Sequence, residues 1–367
     1  GGVAMNTEEF AFASTRHFTR GKKRKLLEIF NDVQGFLNAS DKKILSYEIV
    51  TEEELKAFHK EVPSLKMQEA FRRFTEAGYG LTMVYDKDFP EQLRYIHEPP
   101  VALFYNGTLP ECTEKLVAIV GARRCTAYGR VMSAKVASDL AKHGYSVVSG
   151  MAYGVDGHSH RGALEGGGRT YAFVASGIDI CYPEANRDIY EKIPEHGAVI
   201  SEFAPGTQPL PEFFPDRNRL ISGLSQTVLV IEARERSGSL ITADFALDQG
   251  KDVYALPGKI TDPLSAGCNK LIWQGAGIIR SSEALIEELE LGEAGGDIAL
   301  DDELKKLDLT KEELMVYSAF DYNAKSIDEV QSECSMTLLE ILGIVSSLCQ
   351  KGYLKEVFLN NYVRNAV

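Results

Sequence analysis

The sequence predicts an α/β fold built on a doubly wound, parallel-stranded sheet, and three observations lead there. Between Leu116 and Arg280, short and continuously apolar runs alternate with amphipathic stretches of helical length. That is the pattern of parallel strands covered on both faces by the helices between them. Glycine-bearing turns follow most of those runs, where a chain leaving a strand has to bend toward a helix. Finally, 44% of the 367 residues are hydrophobic, enough to bury a full core and leave material for two or three domains.

The strands of the sheet are expected at 116–120, 145–149, 170–175, 198–201, 227–231, 252–256 and 277–280, with helices at 128–143, 156–165, 186–195, 219–225, 239–249 and 269–273. Residues 1–20 are expected to be a disordered or cloning-derived tail, Gly1 to Ala4 standing ahead of Met5. Residues 21–80 place apolar side chains at helical spacing, as in Leu26-Leu27-Ile29-Phe30 and Leu65-Met67-Ala70-Phe71-Phe74. They predict a small N-terminal helical domain of the SAM or helix-hairpin-helix kind. A bridging segment with Pro90, Pro99 and Pro100, which forbid helix, leads into the sheet, so 81–290 reads as one domain. Residues 291–304 are acidic and carry Gly292, Gly295 and Gly296, as a solvated linker would. In 305–367 the stretches 311–320, 326–332, 336–351 and 353–362 spell three helices and a β-pair, the order of a C-terminal winged-helix-like domain.

The net charge of −13 hides an uneven distribution. Residues 114–280 carry 18 Lys and Arg against 18 Asp and Glu, whereas 281–367 carry 7 against 18. A neutral middle section can still gather its arginines on one face, and that local field governs polyanion binding. The acidity of the C-terminal domain speaks for a protein contact there at least as much as for DNA. No window offers the roughly 18 apolar residues of a membrane span, and the six cysteines form no CxxC pair. Both fit a cytoplasmic protein in a reduced compartment.

In an open parallel sheet the loops leaving the carboxyl ends of the strands gather on one edge, where helix N-termini aim free N–H groups at a ligand. After the first strand comes Gly121-Ala122-Arg123-Arg124, and after the second Gly150-Met151-Ala152-Tyr153-Gly154, with Asp156 expected to cap the next helix. Phe214-Pro215-Asp216-Arg217-Asn218-Arg219 precedes the fifth strand. Ser237-Gly238-Ser239 follows it, one of its serines expected as a helix cap, and Pro257-Gly258-Lys259 leaves the sixth. Arg123, Arg124, Arg217, Arg219 and Lys259, with hydroxyls and bare backbone, suit several consecutive phosphates better than one nucleotide. Tyr153 and Phe214 add flat faces on which unpaired bases stack, worth about 1–3 kcal/mol per base.

Signals for catalysis are thin. There is no GxxxxGK[ST] loop. His158 and His160 diverge on a helix, so no metal site is expected, and Asp156 and His160, four residues apart, are expected to share a structural hydrogen bond. No serine has a partnered histidine and acid at recognisable spacing. No catalytic residue and no cofactor are therefore expected.

Taken in order, these turns resemble the central domain of the DprA/Smf family. The resemblance rests on Val117 through Arg124; Ser149-Gly150-Met151-Ala152 with Gly154, Asp156 and His160; and Tyr182-Pro183 with Asn186. It continues through Ser201-Glu202-Phe203 with Pro205-Gly206, Phe214-Pro215 with Arg217-Asn218-Arg219, Glu232-Ala233 with Ser237 to Ala243, and Pro257-Gly258. The resemblance implies a Rossmann-like domain that binds single-stranded DNA without sequence preference, forms homodimers and helps load the RecA recombinase during transformation. The implied DNA contacts are Gly121, Arg123, Arg124, Gly150, Tyr153, Gly154, Arg217, Asn218, Arg219, Ser237, Gly238, Ser239 and Lys259. Two departures stand out: Ala122 where the family usually has Ser, and Tyr153 where it usually has Arg or Lys, which replaces a cation with a stacking surface. A competing resemblance is to phosphoribohydrolases that cleave nucleoside monophosphates. Their PGGxGTxxE signature would fall on Ser237 to Ala243, which has neither the second glycine nor the glutamate.

Overall fold

The computed structural model describes residues 6–291, 309–320, 325–327, 330–331, 336–358 and 361–364. The chain divides into two compact units, Gly1–Ile286 and Glu287–Val367.

The first unit begins with six helices: α1 (Thr7–Ser14), α2 (Arg20–Phe30), α3 (Val33–Asn38), α4 (Asp41–Leu45), α5 (Glu52–Glu61) and α6 (Leu65–Glu76). Helix α1 corrects the expectation of a tail over 1–20. Asn6 and Glu9 cap it reciprocally, and Phe10 and Phe12 are buried, so the apolar half-turn earns its place by packing. The rest of that expectation, residues 1–5, lies outside the described residues.

The sheet follows: β1 (Gly80–Met83), β2 (Ala102–Gly107), β3 (Leu116–Val120), α7 (Ala127–Lys142), β4 (Ser146–Ser149), α8 (Val155–Glu165), β5 (Thr170–Phe173), α9 (Arg187–Lys192), β6 (Gly197–Ser201), α10 (Phe213–Leu224), β7 (Thr227–Val230), α11 (Gly238–Asp248), β8 (Asp252–Ala255), α12 (Ala266–Trp273) and β9 (Gly277–Ile278). Its nine strands run in the order β1-β2-β6-β5-β4-β3-β7-β8-β9. The seven strands from β3 to β9 are parallel, as the apolar runs predict. The bridging segment does more than enter the domain, for β1 and β2 extend the sheet antiparallel beyond β6.

Neighbouring strand residues feed opposite cores, as a two-residue period requires. Tyr171 and Phe173 face a core shared with Leu220, Leu224 and Ala243 of α10 and α11. Ala172 and Val174 face one shared with Phe10, Phe36 and Phe58 of the N-terminal helices. The expected boundary near residue 80 is thus absent: the helices of 21–80 are a layer of the same unit, because their apolar stripe is buried on the sheet.

In the second unit the structure describes α13 (Lys311–Ala319), β10 (Lys325–Ser326), α14 (Leu338–Gln350), β11 (Leu354–Phe358) and β12 (Asn361–Arg364). Its three strands form an antiparallel sheet in the order β10-β12-β11, over a core of Val316, Phe320, Ile341 and Leu348. The helix expected at 326–332 opens instead with a strand residue, Ser326 pairing with Asn361, and the remainder falls partly outside the described residues. All but the first residue of the acidic linker at 291–304 lies outside them too. Among the described residues no helix is long and apolar enough to cross a membrane.

Candidate nucleic-acid interface

From β3 the chain winds outward through β4, β5 and β6, then crosses back to place β7 on the other side of β3. The carboxyl ends of β3 and β7 therefore diverge, and such a switch point is where open α/β sheets bind ligands. A cavity of about 390 Å³ opens there. Its walls are Gly121 and Arg123 after β3, Ala152 and Asp156 after β4, and Ser237, Gly238, Ser239 and Thr242 at the start of α11. Helix α10 contributes Phe214, Arg217, Asn218 and Ile221, spaced i, i+3, i+4, i+7 and hence one helical face. Pro215 is tolerated because it falls in the first turn, where its missing N–H has no partner to lose. The expected helix at 219–225 accordingly begins six residues earlier, at Phe213.

Arg123 is exposed, and its guanidinium lies 4.8 Å from the Phe214 ring centroid. The Tyr182 ring meets Phe214 edge-on from another side at 5.9 Å. Phe214 thus presents a fixed aromatic wall with a cation laid over it. At the opposite wall Ser237 caps α11, accepting from the Ser239 N–H at 3.3 Å, which leaves a helix N-terminus at the cavity.

Arg217 is only 4% exposed. Its Nη1 donates to the carbonyls of Gly150 and Phe173, and Asp156 lies opposite. A Cβ at residue 150 would stand 2.6 Å from Asp156 Oδ2 and 2.7 Å from Arg217 Nη2, so glycine alone fits between them. Burial pulls the Arg217 guanidinium down to about 10, opposed by Asp156 and assisted by Arg123; it remains charged at neutral pH. Burial likewise pushes the Asp156 carboxyl up, against the pull of Arg217. Arg217 is a cation floor under the cavity rather than a surface arm.

The other residues singled out by sequence divide sharply. Gly154 takes φ +75°, and a Cβ there would collide with the carbonyl oxygens of Ala122 and Arg123; it locks the second loop against the first. Tyr153, beside Ala152, is 49% exposed at the cavity's margin. Arg124 and Lys259 are exposed but do not line the cavity. Arg219 is 3% exposed, and its Nη2 pairs with Glu202 at 2.7 Å. The expectation of Arg219 as a phosphate contact is therefore corrected: it turns away from the rim into an ion pair.

Two further expectations change. Asp156 lies inside α8 rather than capping it and accepts from the Ala152 N–H at 3.2 Å. His160 does not bond Asp156 but pairs Nδ1 with Thr170 Oγ1 at 2.7 Å. That hydroxyl already donates to Val147 O, so the imidazole donates through Nδ1, and burial takes it down to about 3.

Sequence reasoning quoted Glu232 and Asn186 only as motif residues and missed that they hold the loops. Glu232 accepts from the N–H of Thr126 at 2.8 Å and from its hydroxyl, tying the Arg123-Arg124 loop to the end of β7. Asn186 Nδ2 donates to the carbonyls of Met151 and Ala152. It also missed Arg130, Arg234 and Arg236, exposed cations at the same edge. Among the described residues no group of three or more His, Cys, Asp or Glu gathers as metal ligands would.

Switch-point cavity, helix N-terminus and surrounding arginines together define a Rossmann-like protein equipped for anionic ligands. Residues 80–290 match the family model described as DNA recombination-mediator protein A. The match covers more than half of the chain, which belongs to this family, the DprA/Smf DNA-processing proteins. It is 42% identical to the DNA processing protein DprA of Streptococcus pneumoniae over 207 residues, 56% of this chain and 73% of that protein. With the Bacillus subtilis DprA it shares 39% identity over 225 residues, 61% of this chain and 76% of that one. The X-ray structure of the Streptococcus pneumoniae DprA superposes with a TM-score of 0.68 at 32% identity, covering 78% of this chain and 99% of that one. A Helicobacter pylori DNA processing protein A, solved for its single-stranded-DNA-binding mode, superposes with a TM-score of 0.53 at 30% identity, over 58% of this chain and 96% of that one.

Proposed function

We propose that the switch-point rim binds single-stranded DNA without sequence preference, and that the chain, as a homodimer, hands the strand to RecA during transformation. The observation that carries the reading is the cavity's chemistry. Arg123 lies over Phe214 while the N-terminus of α11 faces the same cavity, giving one face for a base and two kinds of donor for its phosphates. None of these contacts reads a base edge, which is why the binding is indifferent to sequence. Exposed Arg124, Arg130, Arg234, Arg236 and Lys259 carry the positive field beyond the cavity, and Tyr153 adds a second stacking face. The binding mode described for the Helicobacter pylori relative supports the choice of ligand. Leu247, Trp273 and Ile278, exposed close to β9, support self-association at that edge.

Fluorescence anisotropy across a salt series tests the reading. Single-stranded oligonucleotides are expected to bind at micromolar concentration or below, duplexes more weakly, with affinity falling steeply as salt rises because phosphate neutralisation releases counterions. Salt-independent binding would overturn the phosphate rim, and release of free base from nucleoside monophosphates would favour the phosphoribohydrolase reading instead. The RecA step is tested by filament assembly on DNA precoated with single-strand-binding protein, with and without this chain.

A further inference from the structure

Arg20, the first residue of α2, lies far from the cavity in sequence but reaches the helix that builds it. Its Nη1 contacts Asp216 Oδ2 at 2.7 Å and Glu202 Oε2 at 3.3 Å, and its Nη2 bonds Glu98. Those carboxylates come from three separate segments: the bridge between β1 and β2, the loop after β6, and α10. Arg219, also on α10, takes the same Glu202 oxygen at 2.7 Å. Lys23 lies beside them, buried, its Nζ donating to Ala13 O at 2.7 Å. Three cations and three carboxylates thus share one cluster, which runs from buried Lys23, Arg219 and nearly buried Glu202 outward through half-buried Arg20 and Asp216 to exposed Glu98, and the equal numbers of each sign permit its inner end to be buried.

On α10, Asp216 and Arg219 point to this cluster, while Phe214, Arg217, Asn218 and Ile221 point to the cavity. Leu220, with Gly223 packed against Leu93 and Ile96, occupies the core between. Turning the helix about its axis would move all three sets at once.

We propose that Arg20 is a positioning residue for the nucleic-acid rim: by forking to Glu98, Glu202 and Asp216 it fixes the rotation of α10, and so the placement of Phe214, Arg217 and Asn218. The inference rests on the reading of the rim as the site for single-stranded DNA. A lysine ammonium has three donors too, but all on one nitrogen; the guanidinium spreads its donors over Nη1 and Nη2, so one fork reaches Asp216 and Glu202 on one side and Glu98 on the other.

The test uses the full chain with Arg20→Met and Arg20→Lys, read by amide hydrogen exchange and by anisotropy on a fluorescent oligothymidylate. In Arg20→Met, exchange over 213–224 is expected to accelerate about tenfold while β3, β4 and β5 keep their protection. Affinity is expected to fall about tenfold with an unchanged salt slope, because Arg20 neutralises no phosphate. Arg20→Lys should recover part of both effects. Unaltered exchange in α10 overturns the proposal, as does acceleration spread over the whole sheet. A salt slope reduced by about 0.7 would make Arg20 a phosphate contact and overturn it as well. Should Arg20→Met fail to fold, Asp216→Asn releases a single arm of the fork and carries the same readouts. If the unaltered chain does not bind the oligonucleotide, the rim reading falls, and the exchange of α10 alone decides whether Arg20 holds that helix.

Discussion

Arg123 and Phe214, ninety-one residues apart in sequence, meet with the guanidinium 4.8 Å from the ring centroid, and the pair joins the first strand's loop to the helix before the fifth parallel strand in sequence, β7. Removing either partner separates two contributions. Arg123→Ala should lower affinity for single-stranded DNA and reduce its salt slope by about 0.7, the loss of one neutralised phosphate. Phe214→Leu should cost about 1–3 kcal/mol of binding with the slope intact. Anisotropy at four or five salt concentrations distinguishes the two.

Arg217 should behave differently from Arg123 although both line the cavity. Arg217→Ala strips a buried cation from the carbonyls of Gly150 and Phe173 and leaves buried Asp156 with the Ala152 N–H but without its facing positive charge. Urea unfolding should show a loss of about 3–5 kcal/mol, while Arg123→Ala, an exposed change, stays near wild type. Equal stabilities would contradict the buried floor described above.

Tyr153 stands exposed beside Ala152, which lines the cavity. Tyr153→Lys should raise affinity at low salt and steepen the salt slope by about 0.7, whereas Tyr153→Ala should weaken binding by about 1 kcal/mol or more without altering the slope. Identical slopes for the lysine variant and wild type would place this residue away from the phosphates.

His160 sets an acid limit on stability. Its folded value of about 3 lies below the ordinary 6.5, so between those values the unfolded chain binds a proton that the folded chain refuses. Stability is therefore complete above about pH 6.5 and falls as pH drops toward 3, by up to about 1.4 kcal/mol per pH unit from this group. His160→Asn keeps a side-chain partner for Thr170 and cannot titrate. Its stability measured from pH 7 to pH 4 should fall less steeply than that of wild type.

The strands were legible because burial on both faces leaves a continuous apolar run, as in Leu116 to Val120 and Thr227 to Val230. The rim was legible as a set of strand ends, since glycines such as Gly154 are demanded by backbone conformation alone. The fate of Arg217 and Arg219 was not. In the string Phe214-Pro215-Asp216-Arg217-Asn218-Arg219 nothing local distinguishes a surface arginine from a buried one. The carboxylates that admit them to the interior, Asp156 and Glu202, arrive from distant turns. Helix α1 was missed for a related reason: Phe10-Ala11-Phe12-Ala13 is too short an apolar run to announce a helix, and the aromatic partners that bury it lie across α3, α5 and the sheet.

The far end of the sheet has its own consequence. At β9 the ladder closes with two residues, Gly277 and Ile278, so a strand from another molecule could add only a rung or two of backbone pairing before running out of template. Runaway growth along the hydrogen-bonding direction is thereby discouraged. The self-association proposed for this edge would have to run through side chains such as Trp273 and Leu247, a contact that saturates after one partner where a ladder would not.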